Sequence, residues 1–294
     1  MLKTKFFILF LLAASGLFSQ TITPVKDFGI NDGNLKMYIY VPVNLNHSNQ
    51  IPLVLVLHGC TQSAEMVANE TGWNKLADSL HFIVVYPEQR QINNVGKCFN
   101  YFLGFKAKKD KGEVASIRQM ISYCFTNYPI DSTKVFITGL SAGGGMSNAM
   151  LNAYPRLFNA GALLAAPSKI LNTNEDAPEI QPRIAILQGE DDKVVVKNNA
   201  DKIEKQWLKK HQLTDTLEVK TNYLDNPLLS ARFYSNANNE LKIVSIRAEG
   251  VRHKLLIKPG NSLQEGGTMD VYTEDINFHS TYWIADFFGL VPHE

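Results

Sequence analysis

The sequence has no excess of charge of either sign. Its 294 residues include 29 lysines and arginines and 28 aspartates and glutamates, which gives a formal net charge of +1. Binding to nucleic acids or to anionic membranes depends largely on clustered positive charge, and the chain contains no block of like charges. We therefore expect no nucleic-acid partner. The composition, 45% hydrophobic and 19% charged, is typical of a globular protein.

Long hydrophobic segments are missing as well. Lysines at positions 3 and 5 precede an apolar run over residues 6–14, and small or polar residues follow at positions 15, 16 and 19. Such a run is too short to span a bilayer comfortably, and no cysteine follows it that could carry a lipid. We predict a secretory signal peptide over residues 1–20 and no membrane anchor after its cleavage. Residues 21–294 contain no repeat and no low-complexity linker, which predicts a single domain secreted to the periplasm or the medium.

Cysteine is scarce, and the three cysteines are not spaced for metal binding. No Cys/His pattern of a zinc site and no His-Glu-x-x-His occurs, so we expect neither a metal ion nor another cofactor. Cys60 and Cys98 lie in predicted loops beside strand ends, whereas Cys124 lies inside an amphipathic helical pattern. For an exported chain this predicts a Cys60–Cys98 disulfide and a buried free thiol at Cys124. The alternative is three unpaired thiols.

Apolar runs of strand length alternate with helical patterns along the chain. The runs predicted as buried strands are 53–57, 82–86, 135–138, 161–166 and 184–187, followed by two late strands at 231–235 and 241–248. Pro87 is expected to end the second of these strands. Helical patterns intervene and follow, the last at 278–288. This alternation predicts the α/β class, with a mostly parallel central sheet and helices on both faces, and chemistry at the carboxyl ends of the strands.

One Gly-x-Ser-x-Gly sequence lies at residues 139–143. An apolar, β-branched run precedes it and a helix-compatible run follows, which is the strand–turn–helix context of a nucleophile elbow. Gly139 and Gly143 are expected where the strand and helix backbones pass too close for a Cβ. Ser141 is then the candidate nucleophile, and the Ala142 N–H can donate to a developing oxyanion. The alternative is a chance match, which the flanking strand and helix disfavour.

A serine nucleophile needs a base, and an acid that orients the base. The histidines that follow Ser141 with room for an acid between are His211, His253, His279 and His293. His253 follows a strand and a glycine-containing loop, from which it could reach the serine. The alternative for His253 is a surface-loop histidine. His211 ends a charged helix and is expected to be solvated.

The acid and the second oxyanion donor are expected at the ends of other strands. Asp191 and Asp192 directly follow a buried strand, and we favour Asp192 because the loop after it leads into the next helix. Asp191 would then stabilise that loop. His58-Gly59-Cys60 follows the strand 53–57, the position that supplies a second oxyanion N–H, which we assign to the Cys60 backbone. His58 is expected to hold this loop through its ring nitrogens.

Aromatic residues are concentrated in the long loop 88–112, at Phe99, Tyr101, Phe102 and Phe105. They could stack on a phenolic ring of a substrate, or form core beneath the loop, and core is slightly favoured. Tyr101, Phe102 and Gln62 are the candidate substrate-binding residues.

Six separated motifs resemble the polyhydroxybutyrate (PHB) depolymerase-type esterases, which are grouped with feruloyl and acetylxylan esterases. They occur in order at residues 52–62, 71–78, 85–89, 96–102, 116–120 and 139–144. The resemblance implies an α/β-hydrolase fold with Ser141, Asp192 and His253 as a catalytic triad. It also implies oxyanion donors at Cys60 and Ala142, and it supports the Cys60–Cys98 bridge.

The sequence departs from the family pattern in three places. Gln188-Gly189 stands where the family often has His-Gly, Lys254 follows His253 where it often has glycine, and Tyr101 stands where it often has tryptophan. The last two changes lie beside the expected substrate cleft and bear on acyl specificity.

The function expected from these features is that of a secreted serine carboxylic-ester hydrolase acting on hydroxyalkanoate esters or oligomers. The alternative is a feruloyl or acetylxylan esterase that acts on plant xylan. A non-catalytic binding protein with a hydrolase fold is a third hypothesis, which the full set of serine, acid and base candidates disfavours. Because no appended polymer-binding module is evident, soluble oligomers or decorated saccharides are expected to be better substrates than insoluble granules.

Overall fold

The parallel strands predicted from the sequence form the centre of a larger sheet. The computed structural model describes residues 21–45, 50–169, 180–214 and 217–293, so the predicted signal peptide lies outside the described residues. The strands are β1 (Thr23–Val25), β2 (Lys36–Tyr40), β3 (Ile51–Leu57), β4 (Ile83–Glu88), β5 (Ile130–Leu140), β6 (Ala160–Leu164), β7 (Arg183–Gly189), β8 (Leu217–Thr221), β9 (Leu229–Ser235), β10 (Leu241–Ala248), β11 (Leu255–Ile257) and β12 (Thr273–Asp275). The helices are α1 (Ala64–Thr71), α2 (Trp73–Leu80), α3 (Gly104–Ala107), α4 (Gly112–Asn127), α5 (Ala142–Ala153), α6 (Asn198–His211) and α7 (Ser280–Phe288).

Ten strands form one sheet in the order β1-β2-β4-β3-β5-β6-β7-β10-β9-β8. The six central strands, from β4 to β10 in this order, are parallel to one another. Two strands are added antiparallel at each edge. Because the central strands run in the same direction, the residues that follow β3, β5, β7 and β10 meet at one edge of the sheet.

Helices cover both faces of the sheet, and the side chains of the central strands alternate between the two cores. On one face, α1, α2 and α7 pack with Val54 and Val56 of β3. On the other face, α4, α5 and α6 pack with Leu53 and Leu55 of the same strand. Burial on both faces explains why β3 is apolar without interruption. The predicted α/β class and the mostly parallel sheet are confirmed.

Strand β4 continues through Pro87, so the predicted stop at this residue is wrong. The pairing of β4 with β3 ends at Val85, whereas the pairing with the antiparallel strand β2 continues and places Pro87 opposite Met37. At the level of Pro87 the strand therefore has a neighbour on one side only, where a residue without an N–H is tolerated.

The cysteines are arranged as predicted. Cys60 and Cys98 form a disulfide, with their Cα atoms 4.2 Å apart. Cys124 is free and fully buried in α4, and burial raises the pKa of its thiol to about 12. The bridge joins the loop after β3 to the long loop after β4, so it fixes two loops at the carboxyl edge of the sheet.

Two histidines at helix ends are packed into the fold. His211 is not solvated as expected: its Nε2 lies 2.9 Å from the Pro182 carbonyl oxygen, and burial lowers its pKa to about 4. The neighbouring lysines suggested a solvated histidine. The ring instead packs beside Trp207, with the two ring centroids 6.1 Å apart. His279 is 3% exposed, its Nε2 lies 3.1 Å from the Thr71 carbonyl oxygen, and burial lowers its pKa to about 4.

Acid is expected to destabilise the protein through His279. Its folded-state pKa lies below the ordinary value near 6.5, so the unfolded chain binds more protons between pH 6.5 and 4, and this contribution to stability is lost as the pH falls through that range. The loss would be at most roughly 3 kcal/mol for one fully buried ring. Urea unfolding at pH 7, 5.5 and 4.5 should show a smaller loss for His279→Gln than for the wild type. His293→Gln replaces an exposed ring and should lose as much stability on acidification as the wild type. The same loss of stability in all three proteins would contradict the prediction.

Candidate active site

Ser141 occupies a strained turn between β5 and α5. Its backbone has φ 56° and ψ −121°, a conformation that costs a residue with a Cβ free energy and that clusters at functional sites. The turn is held at both ends, because the Ser141 N–H donates to the Leu164 carbonyl at 2.9 Å and the Gly145 N–H donates to the Ser141 carbonyl at 2.9 Å. The sequence of strand, turn and helix therefore presents this serine at the carboxyl edge of the sheet.

The glycines on either side of Ser141 lie where backbones approach closely. A Cβ on Gly139 would lie 2.5 Å from the Gly143 carbonyl carbon and 2.9 Å from the Leu57 carbonyl oxygen. A Cβ on Gly143 would overlap the same Leu57 oxygen. Larger residues at either position would push α5 away from β3 and β5, so these two glycines are required by the geometry of the turn.

His253 and Asp192 form a hydrogen-bonded pair. His253 Nδ1 lies 2.7 Å from Asp192 Oδ2, and the aspartate side chain is fully buried. The other carboxylate oxygen, Oδ1, accepts the N–H groups of Val194 and Val195, each at 2.8 Å. Gln188 adds a weaker donor to Oδ2 at 3.3 Å. A carboxylate held in this way places the ring proton on Nδ1 and leaves Nε2 as the ring nitrogen that can accept a proton.

Backbone hydrogen bonds join the loop that carries His253 to the loop that carries Asp192. The strands β7 and β10 are parallel neighbours, and the N–H groups of Glu190 and Asp191 donate to the carbonyls of Ala248 and Val251, each at 2.9 Å. The Asp191 side chain is exposed. Thus Asp191 contributes its backbone to the junction, whereas Asp192 contributes its carboxylate to the histidine.

The loop after β3 lies directly beside Ser141. A Cβ on Gly59 would lie 3.5 Å from the Ser141 Cβ. His58 Nδ1 lies 2.6 Å from the Gly59 carbonyl oxygen, and its Nε2 accepts the Gln89 N–H at 3.0 Å, which places the ring proton on Nδ1. Burial lowers the pKa of His58 to about 4, so the ring is neutral and acts as a fixed donor to the loop. The next residue, Cys60, is anchored by its disulfide.

The two candidate oxyanion donors come from these neighbouring loops. Ala142 is the first residue of α5, where an N–H has no partner within the helix. The Cys60 N–H belongs to the peptide unit whose carbonyl, that of Gly59, is held by His58. Since a trans peptide directs its N–H opposite to its carbonyl, His58 sets the direction of the Cys60 N–H.

The three candidate substrate-binding residues differ in their burial. Gln62 is buried, and its side-chain amide is bonded within the protein. Its oxygen accepts from the Gly59 N–H, and its NH₂ group donates to Glu70. Tyr101 and Phe102 are half-buried and pack edge to face, with their ring centroids 5.3 Å apart. The Tyr101 ring lies against Gly145 of α5, one turn beyond the serine.

Phe99 belongs to the core, as the slightly favoured interpretation had it. It is fully buried, and its ring centroid lies 4.8 Å from that of His58. The loop that carries it is held by a buried carboxylate that sequence reasoning missed. Glu113 of α4 accepts the Asn100 N–H at 2.7 Å, the Asn100 side-chain amide at 2.6 Å and the Gln89 amide at 2.7 Å. Gln89 and Asn100 both lie in family motifs, at residues 85–89 and 96–102. Their place in these motifs was the signal that could have indicated the network.

Within the described ranges, no group of three or more histidine, cysteine, aspartate or glutamate side chains is placed to hold a metal ion. None of the helices in that part of the chain is long and apolar enough to cross a bilayer.

The fold and the serine turn are those of an α/β-hydrolase of the serine esterase class. Residues 35–171 match the model of the esterase PHB depolymerase family. The chain is 32% identical to poly(3-hydroxyalkanoate) depolymerase C of Paucimonas lemoignei, over 96% of this chain and 73% of that protein. The protein therefore belongs to the PHB depolymerase family of esterases.

The chain is also similar to two acetylxylan esterases. Acetylxylan esterase A of Aspergillus oryzae is 35% identical over 54% of this chain, and this chain spans about half (51%) of its length. The solved structure of an acetyl xylan esterase from Aspergillus awamori covers 92% of this chain and all of its own, with a TM-score of 0.75 and 22% identity. At that identity the likeness concerns the fold.

Proposed function

We propose that this protein hydrolyses carboxylic esters through an acyl-enzyme formed on Ser141. The observation that carries the proposal is the hydrogen bond between His253 Nδ1 and the buried Asp192 carboxylate, on loops that meet at the same sheet edge as the serine turn. An imidazole held in this tautomer can accept a proton only on Nε2, which is what a serine nucleophile requires.

The reaction follows from these positions. Ser141 Oγ attacks the ester carbonyl carbon while His253 Nε2 takes the hydroxyl proton, and Asp192 stabilises the imidazolium that results. The N–H groups of Cys60 and Ala142 donate to the oxyanion of the tetrahedral intermediate. The imidazolium returns its proton to the leaving alcohol, and a water molecule activated by the same histidine then hydrolyses the acyl-enzyme.

Hydroxyalkanoate esters or oligomers are the substrates we propose first. The depolymerase of Paucimonas lemoignei, which is named for poly(3-hydroxyalkanoate), matches 96% of the length of this chain. Feruloyl or acetyl esters of xylan are the second candidate. They are favoured by the acetylxylan esterase relatives and by the half-buried rings of Tyr101 and Phe102, which could stack on a phenolic acyl group.

We also propose that the protein is secreted. The support is the pattern of residues 1–20 together with the Cys60–Cys98 disulfide, since such bonds form and persist mainly in oxidising compartments.

Covalent labelling tests the enzymatic proposal. A fluorophosphonate probe should label the purified protein, and peptide mapping should place the label on Ser141. Hydroxybutyrate oligomers, methyl ferulate and acetylated xylan, compared on one sample, should show kcat/KM highest for the oligomers. Preference for methyl ferulate or acetylated xylan would select the second candidate. Absence of both labelling and hydrolysis of p-nitrophenyl acetate would indicate a non-catalytic binding protein.

A further inference from the structure

A buried relay of side chains extends from Glu70 to the loop beside Ser141. Gln62 Oε1 accepts the Gly59 N–H at 2.7 Å, and Gln62 Nε2 donates to Glu70 Oε2 at 2.6 Å. Gln62 and Glu70 are 1% and 3% exposed, so bulk solvent does not reach these bonds. The proposed reaction uses neither of these side chains.

The direction of each bond in the relay is fixed by chemistry. The Gly59 N–H can only donate, so the oxygen of the Gln62 amide must face it. The NH₂ group then faces Glu70, which must supply an acceptor, whether its carboxyl group is ionised or carries a proton on the other oxygen. Without an acceptor at residue 70, a buried NH₂ group would be unsatisfied, and this cost favours rotation of Gln62 away from Gly59.

Two successive peptide units of the loop are held by different side chains. His58 holds the carbonyl of the unit that contains the Cys60 N–H, and Gln62 holds the N–H of the unit before it. Gly59 lies between these units. Because glycine tolerates most backbone conformations, one clamp alone would leave the peptides free to rotate about it. Both clamps are needed to direct the Cys60 N–H toward a substrate oxygen.

We propose that Glu70 is a positioning residue for the oxyanion donor at Cys60, acting through Gln62 and the Gly59 peptide. The proposal rests on the proposed function, because it assigns a purpose to the same donor. A purely structural role for Glu70 would also explain its burial, and the two roles differ in kinetics. Loss of an oxyanion donor lowers kcat with little effect on KM, because the donor acts mainly in the transition state.

The other oxygen of Glu70, Oε1, takes no part in the relay. Oε1 is buried without a hydrogen-bond partner among the described residues, and Glu70 lines a cavity with room of about 20 Å³ together with Thr138 and Thr281. That room suffices for one water molecule. Burial, and then the charge of Asp270, raise the pKa of Glu70 to about 7. A glutamine at residue 70 would keep an oxygen for Gln62, whereas an alanine would not.

The test compares kcat and KM for p-nitrophenyl acetate in four variants. Glu70→Ala should lower kcat about 10- to 100-fold, part of the roughly 10²- to 10³-fold that a complete oxyanion donor contributes, with KM within about twofold. Glu70→Gln should retain kcat within about threefold, because its oxygen still accepts from Gln62. Gln62→Met, which removes the relay but keeps the volume, should lose at least as much as Glu70→Ala. Glu204→Gln removes a buried carboxylate of α6 that is bonded to Tyr234 and Arg232 instead of the Gly59 loop, and it serves as the control for stability.

The outcomes separate this inference from the proposed function. If the wild type neither hydrolyses the ester nor reacts with a fluorophosphonate, the proposed function fails. If the wild type is active and folded Glu70→Ala has wild-type kcat, or loses no more activity than Glu204→Gln, the role of Glu70 is refuted. If Glu70→Ala does not fold, Gln62→Met decides, and kcat within threefold of the wild type would refute the relay.

Discussion

Replacing Ser141 with alanine is expected to lower kcat on p-nitrophenyl acetate by about 10⁴-fold or more, as removal of a serine nucleophile does in other triads. The residual rate would come from the oxyanion donors and from substrate binding, which the substitution leaves in place. KM should therefore change little. Initial rates at saturating ester, measured beside an enzyme-free blank, give the ratio directly.

The same variant should fold at least as stably as the wild type. The backbone of residue 141 keeps its two hydrogen bonds, to Leu164 and from Gly145, and alanine has the same Cβ as serine. A melting temperature equal to or above that of the wild type, with complete loss of fluorophosphonate labelling, would support the assignment. A folded variant with wild-type turnover would show that another group is the nucleophile.

The sheet and the serine turn could be predicted because local patterns determine them. The parallel strands are apolar on both faces, and Gly139 and Gly143 mark where backbones approach closely. The two cysteines at strand ends also indicated the bridge correctly. The continuation of β4 through Pro87 could not be predicted, because it depends on which strand pairs on each side, and that is decided by topology.

The buried polar network around the site could not be predicted from periodicity. Glu70, Gln62 and Glu113 are polar residues in loops or on helices, and such residues are usually exposed. Their burial depends on partners that the fold brings to them, such as Gly59 for Gln62 and Asn100 for Glu113. The sequence could indicate which residue types lie near the serine, but it could not show whether a glutamine faces a substrate or holds a loop.

Replacing Asp192 with asparagine is expected to lower kcat by roughly 10⁴-fold, because it changes the imidazole tautomer. The N–H groups of Val194 and Val195 require an acceptor, so the asparagine oxygen should take the place of Oδ1. Its NH₂ group then faces His253 Nδ1 and donates to it. The ring proton must move to Nε2, and that nitrogen can no longer accept the proton of Ser141.

Asp191→Asn is the matched control, with the same chemical change one residue earlier. The Asp191 side chain is exposed, and the residue holds the base loop through its backbone N–H to Val251, which asparagine retains. We expect kcat within about twofold of the wild type, as for surface substitutions in general. Both variants should melt close to the wild type, since the backbone donors keep an acceptor at residue 192. Loss of activity in Asp191→Asn with retention in Asp192→Asn would reverse the assignment of the acid, because the imidazole would then be oriented by the exposed carboxylate.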